Sequence, residues 1–297
     1  MNPTSGPEVY DFDGLWDYAN PSGTEQKFFT CLESEPKSDS NYRAELLTQI
    51  ARAQGLQQRF DNAHETLDAA EILIGDSASR ARIRLLLERG RAFNSSGSPE
   101  LARPLFLNAF ELGKSLGQDF YAVDAAHMLA IVLQGNERFR WNEEALAMAE
   151  VSTDARARNW RGSLYNNIGW DLFAAGEYGR ALGLFERALE FRISQAQPEN
   201  IRFAKWSIAK TLRHLGEHDR ALVMQVELQR EVEETGAEAD GFVFEELGEL
   251  YLAKGDLTAA QPNFCKAFEL LSKDIWLARD EPARLKRIGE LCHSKSE

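Results

Sequence analysis

Cysteine is scarce in this 297-residue chain, with Cys31, Cys265 and Cys292 the three present. No two stand at a metal-ligand spacing, which excludes a zinc finger or ribbon. Each falls at or beside a packing position of the repeat described below, so all three read as buried free thiols, as suits a reducing, cytoplasmic compartment. Histidine is nearly as rare, at five. His214 and His218 lie four apart, but Gly216 between them interrupts a shared helical face, and they read as polar turn residues. Also missing are a glycine-rich phosphate loop, a nucleophile elbow and an HExxH pair. No catalytic residue, metal ligand or cofactor site can therefore be named, and an enzyme is not expected. No stretch approaches the roughly 18 uninterrupted apolar residues of a membrane span, and residues 1–13 are polar and acidic, unlike a secretory signal. Basic residues are outnumbered by acidic ones, 34 against 47, for a net charge of -13. Nucleic-acid binding draws on clustered Lys and Arg to displace phosphate counterions, so that class is disfavoured.

What the chain does have is a repeat. A small residue is followed twelve, sixteen and nineteen positions later by a small, a large apolar and a small residue, starting at Ala51, Gly90, Ala130, Gly169, Ala209 and Gly248. The intervals are 39, 40, 39, 40 and 39 residues. A period this regular marks an array of supersecondary units, none able to bury its apolar face alone. The fourth copy has Tyr165, Ile168, Gly169 and Leu172, a turn at Gly176, then Ala181, Phe185 and Ala188. The sixth has Phe244, Leu247, Gly248 and Tyr251, a turn at Gly255, then Ala260, Phe264 and Ala267, and the second has Leu86, Gly90, Phe93, Gly97, Ala102, Phe106 and Ala109. The first and fifth are eroded, and the third carries Asn142 where a small residue belongs.

These residues resemble the tetratricopeptide repeat. The resemblance implies an all-α, right-handed superhelical solenoid of antiparallel helix pairs, with six repeats at about 42–75, 83–116, 123–156, 162–195, 202–235 and 241–274. The usual period is about 34, so the extra residues are expected in helical turns and in the connection between repeats. One period back from Ala63, Leu67 and Ala70 lie Thr24, Phe28 and Cys31, and one period forward from Leu247 and Gly248 lie Ile288 and Gly289. Half-repeat caps are thus expected at 22–33, opened by a capping box of Ser22 and Glu25, and at 281–293. The array at 22–293 is expected to be continuous, since a solenoid buries one interface per repeat. The acidic, aromatic segment 1–21, with Tyr10, Phe12, Leu15, Trp16 and Tyr18, is expected to fold back over the first helices, or else to serve as a motif for another protein. Residues 33–41, with Pro36, read as a flexible connection.

In this family the groove is lined by the first helix of each pair. Carried over position by position, the resemblance gives Arg52, Arg91, Asn94 and His127, then Asn166, Asn167 and Trp170, then Trp206, Lys210 and Arg213, and finally Glu245 and Glu249. The groove would run from basic, through an amide and aromatic centre, to acidic. Asn166 and Asn167 can pair with peptide backbone, Trp170 and Trp206 supply rigid apolar area, and Lys210 with Arg213 can hold a carboxylate. The alternative is that the two tryptophans pack between neighbouring helices. Glu88, Asp124, Phe203 and Ser207 stand where a chaperone-tail clamp needs amide or basic groups, which argues against that role. The expectation is a non-catalytic, cytoplasmic, monomeric scaffold binding a peptide or helix of another protein. The alternative is a peptide- or small-molecule-sensing regulator that acts through a separate effector.

Overall fold

The computed structural model describes residues 11–34 and 40–294. Tyr10, the rest of residues 1–10 and the expected connection at Pro36 lie outside them. Among the described residues there is no strand, and the helices follow one another in packed antiparallel pairs. The chain divides into two compact units, Met1–Leu164 and Tyr165–Glu297.

The first unit opens with a short 3-10 turn, Asp11–Leu15, and a single helix α1, Pro21–Ser34. Three hairpins follow: α2 (Ser40–Leu56) with α3 (Phe60–Ile74), α4 (Arg80–Ser95) with α5 (Pro99–Ser115), and α6 (Asp119–Val132) with α7 (Gly135–Val151). A short α8, Ala155–Asn159, precedes α9, Arg161–Ala174, inside which the unit ends. The second unit takes α9 with α10 (Tyr178–Ser194), α11 (Pro198–His214) with α12 (His218–Thr235), and α13 (Gly241–Ala253) with α14 (Leu257–Leu271). It closes with α15, Ile275–Asp280, and α16, Pro282–His293.

The repeat positions explain the pairing. A β-carbon added at Gly90 would stand 2.5 Å from the Phe106 ring, at Gly169 2.6 Å from Phe185, and at Gly248 2.8 Å from Phe264. Glycine is required there because the phenyl ring of the second helix fills the space against the backbone of the first. Where alanine replaces glycine, at Ala51, Ala130 and Ala209, the residue sixteen later is Leu67, Leu146 or Gln225 instead of phenylalanine. Gly97, Gly176, Gly216 and Gly255 end the first helices with φ of 91°, 78°, 81° and 79°. In each case the next residue's N–H donates to the carbonyl five positions earlier, as Glu177 does to Leu172 at 2.9 Å. This closure satisfies a carbonyl that the helix end would leave open. In the first hairpin the same bond runs from Arg59 to Gln54, and Gln58 takes the left-handed conformation at φ 60° without being glycine.

Two expectations are corrected. The first cap helix is not opened by a box of Ser22 and Glu25. Pro21, whose fixed φ suits a first helical position, starts the helix two residues earlier than that box would, and Asn20 Oδ1 accepts from Gly23 N–H at 3.0 Å. Glu25 accepts instead from Gln54 at 3.2 Å, from Gln57 at 2.8 Å and from Arg59. The second correction concerns the thiols: Cys265 and Cys292 are joined in a disulfide, and Cys31 alone is free, half-buried. Cys265 on α14 and Cys292 on α16 stand 27 residues apart in sequence, but the packing of these helices brings their α-carbons to 4.5 Å. Two of the three cysteines therefore no longer support a reducing compartment.

Candidate functional site

In the first unit the expected groove residues stand on α2, α4 and α6, but their charges face one another. Arg52 Nη1 donates to Glu88 Oε1 at 3.1 Å, and Arg91 Nη1 reaches the same oxygen at 2.6 Å. Arg91 Nη2 lies 2.5 Å from both oxygens of Asp124. Burial opposes the charge of Arg91, yet Asp124 and Glu88 outweigh it and hold the guanidinium above its usual range. Arg84, not foreseen as a site residue, is nearly fully buried and donates to Tyr121 Oη at 2.8 Å and to Asp13 at 2.5 Å. Burial holds the His127 imidazole below its usual value against the pull of Asp124, and its ring lies 4.9 Å from Trp160. Asn94 is half-buried near the end of α4. The 3-10 turn and the residues after it lie along this face, where a cavity of about 250 Å³ is bounded by Trp16 and Tyr18, by Gln49, Arg52 and Arg91, and by Phe120, Arg156 and Trp160.

The second unit holds a larger cavity of about 510 Å³. Its walls are apolar: Trp170 from α9, Phe203 and Trp206 from α11, Leu228 and Val232 from α12, Phe242 and Val243 from α13. Its rim is charged, with Glu199, Arg202, Glu238, Asp240 and Arg284. Trp170 and Trp206 are half-buried with ring centroids 5.6 Å apart, and Trp206 Nε1 donates to the Phe242 carbonyl at 3.1 Å. The tryptophans thus both pack between helices and wall the cavity. Burial raises the Asp240 carboxyl above its usual value, against the backbone N–H of Phe242 that it accepts at 2.8 Å. Asn166 and Asn167 stand half-buried on α9, and their side chains have no hydrogen-bond partner among the described residues.

The remaining expected residues are engaged within the unit. Lys210 approaches Glu246 at 3.5 Å, and Arg213 grips the same buried carboxylate through Nε and, at 3.2 Å, through Nη2. Glu245 receives Arg284 at 2.8 and 2.6 Å, and Glu249 pairs with Arg287. Sequence reasoning named Glu245 and Glu249 but not the arginines on α16 that answer them, because that helix was read only as a cap. It also missed Phe203 and Phe242, whose aromatic neighbours on the same helices were the available signal. Among the described residues no group of three or more His, Cys, Asp or Glu is placed to hold a metal ion, and no helix is long and apolar enough to cross a membrane.

Residues 161–194 and 243–272 match family models of the tetratricopeptide repeat. No curated protein matches the sequence significantly. Among solved structures, the apo form of RapI is similar with a TM-score of 0.74 at 14% identity, over 96% of this chain and 81% of that one. A signal transduction ATPase with numerous domains from Pyrococcus horikoshii, which carries a tetratricopeptide repeat sensor, gives 0.72 at 16% identity over 90% of this chain. This chain spans only 42% of that protein. The apo quorum sensor NprR from B. thuringiensis gives 0.52 at 16% identity, over 93% and 82% of the two chains. At such identities the likeness is one of fold.

Proposed function

Because this chain is a tetratricopeptide repeat protein, we propose that it is a non-catalytic scaffold whose second unit binds a peptide or helix of another protein. The observation that carries the reading is the cavity of about 510 Å³ walled by Trp170, Phe203, Trp206 and Phe242. Its size suits one or two large apolar side chains, and buried aromatic walls are where interface energy concentrates. Asn166 and Asn167, with unused amide groups, can pair with the backbone of an extended ligand. Around the mouth, Glu199, Glu238 and Asp240 face Arg202 and Arg284, and Arg284 is already held by Glu245 and Glu281. The rim therefore favours a ligand with an apolar anchor flanked by basic residues. Arg52, Arg91, Glu245 and Glu249 are spent on internal ion pairs, and the basic and acidic groove ends expected from their signs are not part of the proposal.

The test is capture from native lysate by the wild type and by the Trp170→Ala, Trp206→Ala double variant. A partner held by the wild type and released by the variant supports the reading, while an unchanged set of partners removes it. Because Trp206 also bonds to Phe242, a thermal melt accompanies the comparison, and Phe203→Ala, which removes a partly exposed ring, serves as a milder variant. A sensing regulator is the second reading, favoured by the fold likeness to NprR, a quorum sensor, and to a protein with a repeat-built sensor. Mass spectrometry of material released from the native protein separates the two: a short peptide or small molecule favours the sensor, a protein chain the scaffold. A monomer is also proposed, resting on a net charge of -13 that resists self-association.

A further inference from the structure

We propose that the face formed by α2, α4 and α6 in the first unit is a receptor for a short acidic and aromatic segment of a partner protein, and that residues 12–18 are its built-in occupant. The seat is specific. The Trp16 indole donates to Gln49 Oε1 at 3.1 Å, and Trp16 stacks on Tyr18 at 4.9 Å with 8° between the planes. The Arg52 guanidinium lies 5.7 Å from both rings, within range of a cation–π attraction. Three residues before Trp16, the Asp13 carboxylate meets the buried Arg84 at 2.5 Å. A carboxylate, an aromatic ring three residues on and another two further on thus each have a counterpart, and Gln49 and Arg52 lie on the helix face that the repeat pattern assigns to ligands.

The occupant is unevenly held. Phe12 is fully buried with Phe28, Leu46 and Ile50, so the base of the segment belongs to the core. Beyond it, Trp16 is half-buried with its ring edge-on to Phe28 at 5.2 Å, and Asp17 is bonded to Thr24 of α1 through its N–H and carbonyl, whereas Tyr18 is 61% exposed and is the loosest part of the tip. Beside the tip, the cavity of about 250 Å³ continues past Arg91, Phe120, Arg156 and Trp160. A partner segment that makes the same contacts and also fills this space gains area that the tethered tip leaves unused. The tether matters kinetically and thermodynamically: a short linker keeps the tip at an effective concentration on the order of millimolar, so a weak competitor is shut out.

The experiment uses the full chain and a fluorescently labelled peptide of residues 12–20, followed by polarisation. The wild type should bind it weakly, and the Trp16→Ala, Tyr18→Ala variant about ten-fold or more tightly, because the tethered competitor is gone. Adding Arg52→Ala to that variant, or using a peptide carrying Trp16→Ala and Tyr18→Ala, should abolish the gain, because those two rings are the contacts that the variant vacates. Equal binding to wild type and variant, no binding to either, or undiminished binding of the altered peptide would overturn the proposal. Should the double variant melt early, Tyr18→Ala alone removes an exposed ring and should still give a measurable gain. Light scattering on the same samples covers the remaining occupant: a wild-type dimer that becomes monomeric in the variant would place the segment on a second copy and overturn occupancy in cis.

Discussion

Gln225 is fully buried on α12, at the repeat position that holds Phe106, Phe185 and Phe264 in alternate hairpins, and its amide nitrogen and oxygen have no hydrogen-bond partner among the described residues. An unpaired buried amide costs about 1–3 kcal/mol. Gln225→Leu, which restores the residue type of Leu67 and Leu146, should therefore stabilise the protein by about 1–2 kcal/mol, read as a higher denaturation midpoint. A lower midpoint would mean that the amide is bonded in solution. Histidine gives a second residue-scale expectation. Burial lowers the pKa of His64, His127 and His214 from the usual 6.5. A depressed folded pKa means that the unfolded chain takes up the proton first. The stability contributed by the neutral rings is present above 6.5 and is lost as pH falls through the lowered folded values. The melting temperature should drop between pH 7.5 and 5.5, and His127→Gln should flatten that slope. A slope identical in the variant would show that His127 does not titrate differently on folding.

At the scale of helices, the contact that sets each hairpin is glycine against phenylalanine. Gly169→Ala would drive a methyl group to 2.6 Å from the buried Phe185 ring, an overpacking worth about 1–3 kcal/mol of lost stability. Gly179→Ala, at a position with nothing near the added carbon, is the control and should not destabilise. The turn of the first hairpin gives the opposite sign: Gln58 is exposed in a left-handed conformation where the second, fourth, fifth and sixth hairpins use glycine. Gln58→Gly should gain up to about 1 kcal/mol, the steric relief outweighing the added freedom of the unfolded chain. Helix pairs, turns and small-residue contacts were legible because each is a local pattern repeated at a fixed interval, so one hairpin's chemistry could be checked against the others. What escaped lay outside the period. The bond between Cys265 and Cys292 depends on how α14 packs against α16, the start of α1 depends on Pro21, and the pairing of Arg84 with Asp13 joins residues 71 apart.

At the scale of the molecule, the net charge of -13 conceals an economy of pairing on the first helices of the hairpins. The arginines and carboxylates there read, residue by residue, as a basic end and an acidic end, because sequence shows the sign of a side chain but not its neighbour. In the folded units Arg52, Arg91, Arg213, Glu245 and Glu249 each have an opposite charge within reach. Each unit instead offers aromatic surface: a face already occupied by residues 12–18 in the first, and an unfilled cavity in the second. Expected groove residues were thus found on the expected helices, while their chemistry was rewritten by partners one repeat away.

The claim that the cavity of the second unit receives a partner's side chain is tested most directly by photo-crosslinking in native lysate, with a photoreactive residue in place of Phe203 at the cavity wall. A matched control carries it at Val223, exposed on α12 and outside the cavity lining. The account predicts a crosslink from position 203 to a partner segment in which an apolar residue is flanked by basic ones, with none from position 223. Equal crosslinking from both positions, or none from position 203, would contradict it.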